Sequence, residues 1–222
     1  MVAVIVNADG TEEIVTKSVL VDGALVVPLE AGATVKLVDK SVDFADAAQA
    51  AWAGDAIAFV SSHELFQGTG EGSFSPNQPM NRAMLVTVLH RLESKPQAGV
   101  AVEFADVAQG AYYTEAVAWA SESGIVTGTG AGFDPDAPIS REQLATILYR
   151  YMAKQGVQAE QGSLNAFADG GAVSPWAQEA MGYAVGAGLM TGKEGGVLDP
   201  QGTATRAEVA VVLRRLVEAM AQ

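Results

Sequence analysis

From residue 44 onward, hydrophobic positions recur at the helical period in three blocks. In the first block Trp52, Ala56, Phe59 and Val60 fall at i, i+4, i+7 and i+8, one face of an α-helix. Tyr112, Ala116, Trp119 and Ala120 repeat that spacing, as do Trp176, Ala180, Tyr183 and Ala184. A second amphipathic helix follows each one, on Leu85, Val88, Leu89 and Leu92, then Leu144, Ile147, Leu148 and Tyr151, then Val209, Val212, Leu213 and Leu216. The loop between the two helices carries glycines and a proline, which stop one helix and prepare the next. Residues 1–43 read differently. Runs 13–19 and 24–29 flank Val21-Asp22-Gly23, a hairpin signal, and 33–38 is a third candidate strand.

The three blocks are copies of one unit. They start at Phe44-Ala45-Asp46, Phe104-Ala105-Asp106 and Phe167-Ala168-Asp169, 60 and 63 residues apart. Each has a glycine turn (Gly68, Gly128, Gly192), then Phe74-Ser75-Pro76, Phe133-Asp134-Pro135 or Leu198-Asp199-Pro200. An arginine follows eight residues after Phe74, Phe133 and Leu198, at Arg82, Arg141 and Arg206. Thr205-Arg206-Ala207-Glu208 reads as a capping box, and Ser140-Arg141-Glu142-Gln143 as the same device with glutamine. Asn81-Arg82-Ala83-Met84 keeps the cap and loses the return partner, so the first unit is expected to have the least secure second helix. The predicted divisions are a β segment at 1–43 and repeats at 44–100, 101–160 and 161–222, with linkers at 39–43, 94–102 and 154–165.

Composition narrows the function. The 222 residues are 49% hydrophobic and 18% charged, enough apolar content for a core. With 13 Lys+Arg against 26 Asp+Glu the net charge is −13, which argues against a nucleic-acid binder. No apolar run reaches the length of a membrane span, so no membrane insertion is expected. The opening residues carry no basic n-region and too short an apolar run for a signal peptide. About 40 residues in three or four strands make a marginal sheet, so the β segment reads as the tail of a larger upstream β domain, its free edge open to pairing with another copy. Absence of cysteine removes thiolate metal sites and cysteine nucleophiles.

The pattern Phe-x-Asp, aromatic, glycine turn, Phe-x-Pro and Thr-Arg-Ala-Glu, three times over residues 44–217, resembles the S-layer homology (SLH) domain. The third copy matches the signature outright, and the first two are degenerate. The resemblance implies a mainly α fold: three tandem helix–loop–helix repeats, pseudo-threefold around a three-helix bundle, here preceded by a short β segment. It also implies a non-catalytic anchor of the extracellular surface in a Gram-positive type of envelope. The implied partner is a secondary cell wall polysaccharide linked to peptidoglycan, often bearing a pyruvate ketal, bound in grooves between repeats. The alternative is a surface-layer assembly module acting through protein–protein contacts.

The signature arginine is the anion contact that the resemblance implies. The residue chemistry agrees, because a guanidinium fork at the first turn of a helix sits beside its partial positive end. An arginine is unfavourable there without an anionic partner, which favours a ligand or an acidic residue at Arg82, Arg141 and Arg206. Asp46, Asp106 and Asp169 are candidate contacts, weighed against capping within the fold. Trp52 and Trp176, at the helix starts, are candidates to reach a groove, and Gly70 and Gly130 would allow close backbone approach to a sugar. Trp119 is expected in the core. Glu142 places a carboxylate beside Arg141 and is expected to compete with an anionic ligand, which favours the third signature helix. No cofactor or metal is expected: the glycine loops lack a P-loop lysine, the calcium-loop pattern is incomplete, and no Gly-x-Ser-x-Gly occurs. His63 and His90 lack metal-ligand spacing and read as surface or capping residues.

Overall fold

A computed structural model describes residues 1–130 and 132–221; Ala131, in the glycine loop 128–132, and Gln222 lie outside the described residues. Among the described residues there are five short strands and six α-helices. The chain divides into two compact units. One is Met1–Gln78, Arg91–Ser94 and Arg206–Gln222, and the other is Pro79–His90 and Lys95–Thr205.

In the first unit, β1 (Val2–Val6) pairs antiparallel with both β2 (Glu12–Ile14) and β5 (Val35–Val38), giving the order β2-β1-β5. β1 was not among the expected strands, yet its Val2, Ala3 and Val4 are buried and it is the central strand. A continuous apolar run is what a strand covered on both faces looks like. β3 (Val19–Val21) and β4 (Ala24–Val26) form the expected hairpin. Asp22 and Gly23 both take positive φ, 49° and 80°, as a two-residue primed turn needs. The expected run 13–19 is interrupted: Ser18 N–H turns back to the Val15 carbonyl at 2.9 Å, so it supplies the end of β2 and the start of β3. α1 (Gly54–Ser62) packs on α6 (Arg206–Met220), burying Ile57, Val60, Leu213 and Leu216.

The second unit holds α3 (Thr114–Glu122), α4 (Arg141–Lys154) and α5 (Gln178–Gly186), with α4 against α5. Trp119, Leu144, Leu148, Tyr151 and Met181 are buried in it. The capping box at Ser140 is formed: Gln143 N–H donates to Ser140 Oγ at 3.2 Å, and Ser140 N–H to Gln143 Oε1 at 3.1 Å. α2 (Arg82–Leu92) keeps its cap, with Met84 N–H donating to Asn81 Oδ1 at 2.7 Å.

Two expectations need correction. Trp52, Tyr112 and Trp176 do not join the buried helical faces. α1, α3 and α5 begin two residues later, and the three rings are 65%, 63% and 57% exposed. Trp52 and Trp176 lie in 3-10 turns, whose three-residue period breaks the i, i+4 register. The histidines are buried rather than on the surface, and His63 takes the capping role as the C-cap of α1. His63 Nδ1 lies 2.8 Å from the Phe59 carbonyl and Nε2 lies 3.2 Å from Ser18 Oγ, and burial pushes its pKa down. His90 Nε2 lies 2.8 Å from the Pro96 carbonyl, and its ring lies 5.4 Å from Trp119.

Candidate functional site

The first turn of a helix leaves amide donors without intrahelical partners. In this chain the loop of another repeat supplies acceptors. Arg82 and Ala83 N–H donate to Ala137 and Pro135, Arg141 and Glu142 N–H to Gly202 and Pro200, and Arg206 and Ala207 N–H to Gln78 and Pro76. The signature side chains go the same way. Arg82 Nε donates to the Phe133 carbonyl at 2.8 Å and Nη2 to Thr127 at 3.2 Å. Arg141 uses Leu198 and Thr191 (2.7 and 3.1 Å), and Arg206 uses Phe74 and Gln67 (2.8 and 2.9 Å). All three arginines are buried. Arg82 lies over Phe133 at 4.8 Å and Arg206 over Phe74 at 4.7 Å, within cation–π reach.

The repeat aspartates complete these clasps. Asp106 accepts the N–H groups of Phe133 and Asp134 at 2.9 and 2.7 Å, Asp46 those of Phe74 and Ser75, and Asp169 those of Leu198 and Asp199. These backbone donors hold the Asp46 and Asp106 carboxyls below the usual carboxylate range. At Asp169 desolvation pushes upward, and the two N–H donors outweigh it. Each carboxylate also feels the arginine on the same loop: Arg206 for Asp46, Arg82 for Asp106, Arg141 for Asp169. Each signature arginine thus has an acidic partner inside the chain. Burial lowers the Arg82 and Arg206 pKa values, while those aspartates act in the opposite direction.

Two residues before each arginine, the backbone closes a ring of three hydrogen bonds. Met80 N–H donates to Ala204, Ala204 N–H to Ile139 and Ile139 N–H to Met80, at 2.9, 3.0 and 2.9 Å. All three residues are fully buried.

Beside the Arg82 clasp lies a cavity of about 220 Å³, open to solvent, within the second unit. Arg82, Thr127, Gly128, Thr129, Arg150 and Trp176 contribute to its walls. Arg150, half-buried, donates through Nη1 to Thr127 Oγ1 at 3.3 Å. Two guanidinium groups, threonine hydroxyls and an exposed indole therefore meet in one opening. That set offers positive charge, hydroxyl groups and an apolar ring face in one opening. Among the described residues no cluster of histidine and carboxylate groups is arranged to hold a metal ion.

The S-layer homology domain model matches residues 43–83, 103–145 and 166–210. The chain belongs to the S-layer homology domain family. It is 32% identical over 201 residues to the "Surface-layer 125 kDa protein" of Lysinibacillus sphaericus, covering 85% of this chain and 17% of that protein. Identity is 30% over 168 residues with the "Amylopullulanase" of Thermoanaerobacterium thermosulfurigenes (75% and 9%) and 30% over 183 residues with the "Exoglucanase XynX" of Acetivibrio thermocellus (82% and 17%). The chain spans less than a fifth of each of these relatives. As an S-layer homology protein it is cell-surface and cell-wall-associated, and no described helix is long and apolar enough to cross a membrane.

Of the residues that sequence singled out, the SLH cavity gathers Arg82 and Trp176. Arg141, Arg206 and the three aspartates sit in clasps, and Trp52 is exposed ahead of α1. Gly70 and Gly130 take φ of 116° and 113°, and a Cβ at either would meet nothing within 4 Å. Gly128, two residues earlier, is the glycine in the cavity wall; a Cβ there would press on the Gly132 carbonyl at 2.8 Å and Phe104 at 3.0 Å. Arg150 was missed. The signal for it is periodic, since Arg91, Arg150 and Arg215 each stand nine residues after a signature arginine.

Proposed function

We propose that this chain is a non-catalytic wall anchor that binds an anionic secondary cell wall polysaccharide in inter-repeat grooves. The acid group is a pyruvate ketal carboxylate. The observation that carries this reading is the cavity where Arg82, Arg150 and Trp176 converge beside Thr127 and Thr129. A pyruvylated sugar sets its carboxylate on Arg150 and its ring on Trp176, while the buried Arg82 clasp keeps that wall rigid and adds its charge from behind. Net charge does not oppose this, because the site acts at contact distance and the acidic surface is screened by salt.

By repeat position the reading extends to Arg141, Arg206, Asp46, Asp106, Asp169, Trp52, Gly70 and Gly130. The arginines and aspartates build the walls, and the tryptophan and glycines leave them open. The pseudo-threefold repeat arrangement belongs to the same proposal, supported by the three-way ring through Met80, Ile139 and Ala204. Relatives with surface-layer and carbohydrase names share this segment over a small part of their length, as suits a transferable anchor.

The test is isothermal titration against native and depyruvylated wall-polysaccharide fragments, with co-sedimentation on intact and acid-stripped sacculi. Binding should require both the pyruvate ketal and the secondary polymer. Equal affinity for depyruvylated fragments would overturn the carboxylate assignment. Self-association without any retention on sacculi would favour the assembly reading.

A further inference from the structure

Glu142 stands where the other two signature segments carry Ala83 and Ala207. Those alanines are fully buried, and Glu142 is buried too, at 5% exposure. A carboxylate removed from water needs donors, and the third repeat supplies them through Ser174 and Gln201. Ser174 donates its N–H to Oε2 at 3.0 Å and its hydroxyl to Oε1 at 2.9 Å. Gln201 donates through Nε2 to Oε2 at 3.2 Å, and the same nitrogen lies 2.8 Å from the Ala172 carbonyl. The carboxylate expected to compete for Arg141 is thus engaged by Ser174 and Gln201.

What these bonds hold in place is the turn that carries Trp176. Ala172 closes the 3-10 turn Gly170–Ala172, and Ser174 is the residue ahead of the 3-10 turn Pro175–Ala177, with Trp176 at its centre. The indole itself is 57% exposed, so its own packing does little to fix it. Glu142 is in the first turn of α4, the helix whose Gln143, Thr146, Ile147 and Arg150 line the same cavity as Trp176. One buried side chain therefore ties the aromatic wall to the cationic wall.

We infer that Glu142 is a positioning residue for the groove, fixing Trp176 against α4 before ligand arrives. The inference rests on the glycan-binding reading above. A pre-set wall avoids the ordering cost that binding would otherwise carry. Only the second signature segment has this carboxylate, so the groove containing Arg150 and Trp176 is the pre-organised one.

The experiment uses the full chain with fluorinated tryptophan, read by fluorine NMR, with Trp176→Phe assigning its resonance. Glu142→Ala, the residue found in the other repeats, should shift and broaden the Trp176 signal and leave Trp52 in place. Ser174→Ala, which removes only the hydroxyl donor, should move the signal the same way by less, and it tests the inference if Glu142→Ala fails to fold. Affinity for a methyl glycoside of pyruvylated N-acetylmannosamine should fall about tenfold in Glu142→Ala. Adding Glu142→Ala to Trp176→Ala should cost nothing further, the mark of action through the indole. A Trp176 signal unmoved in both single variants, or full additivity with Trp176→Ala, overturns the inference. If the wild-type chain ignores the glycoside, the glycan reading fails separately, and the fluorine spectra still decide whether Glu142 positions Trp176.

Discussion

Arg82 and Arg150 face the same cavity from two structurally different regions. Arg82 belongs to a buried clasp: two of its nitrogens serve backbone carbonyls, its guanidinium lies over Phe133, and Asp134 and Asp106 answer its charge. Arg150 belongs to the open groove wall, half in solvent, with a hydroxyl contact to Thr127. The clasp chemistry recurs at Arg141 and Arg206 with the same backbone roles, whereas the groove wall varies in its aromatic and hydroxyl residues. The contrast separates two uses of one residue type. An arginine that completes a loop is part of the fold, and one that ends at a hydroxyl in an opening is available to a ligand.

The clasp should break hardest. Arg82→Ala leaves the buried Phe133 carbonyl without its donor, at a cost of about 1–3 kcal/mol, and hands the exposed Thr127 carbonyl back to water. Urea unfolding of the full chain should show a loss of about 3 kcal/mol, and glycan binding should fall with it. Arg82→Lys should recover less than half, because a single ammonium cannot reproduce the fork. A loss under about 1 kcal/mol would mean that the clasp does not hold the loop.

The groove should respond in the opposite way. Arg150→Ala and Trp176→Ala should each weaken binding of pyruvylated fragment about tenfold, equal to about 1.4 kcal/mol. Their unfolding free energies should stay within about 0.5 kcal/mol of wild type, as for exposed or half-exposed positions. If either variant loses stability like Arg82→Ala, the division between the two regions is wrong.

Smaller effects sharpen the clasp side. Ser140→Ala removes one half of a formed capping box and should cost about 1 kcal/mol of stability. Asn81→Ala should cost a similar amount by thermal unfolding, since its amide oxygen is also in use.

Acid should act on the clasps and on His63 in separate windows. The folded pKa of His63 is lowered by burial, so the unfolded chain takes up the proton first. Its contribution is present above the ordinary histidine pKa of about 6.5 and is lost as pH falls through the lowered folded value. The aspartates have lowered folded pKa values too, so theirs is present above about 3.9 and is lost only below it. Thermal melts across pH 3–8 should therefore show a first decline that His63→Gln removes, and the onset of a second, shared by the three aspartates, that Asp106→Asn reduces.

Local information carried the repeat architecture. Helical periodicity placed the cores of all six helices, and the Ser140 capping box and Asp22-Gly23 hairpin were legible because each depends on neighbours within a few residues. The three-fold recurrence of Phe-x-Asp and the signature arginine identified the family for the same reason. What the sequence could not place were the partners. Arg82 finds Phe133 51 residues away, Arg206 finds Phe74 132 residues away, and Glu142 finds Ser174 32 residues away. Trp52 and Trp176 kept a helical spacing yet lie outside the helices, and the histidines were buried by elements distant in sequence. Periodicity reports which face of an element avoids water. Which charge meets which carbonyl, and which aromatic stays exposed, depends on how loops from different repeats pack, and only the tertiary structure decided that.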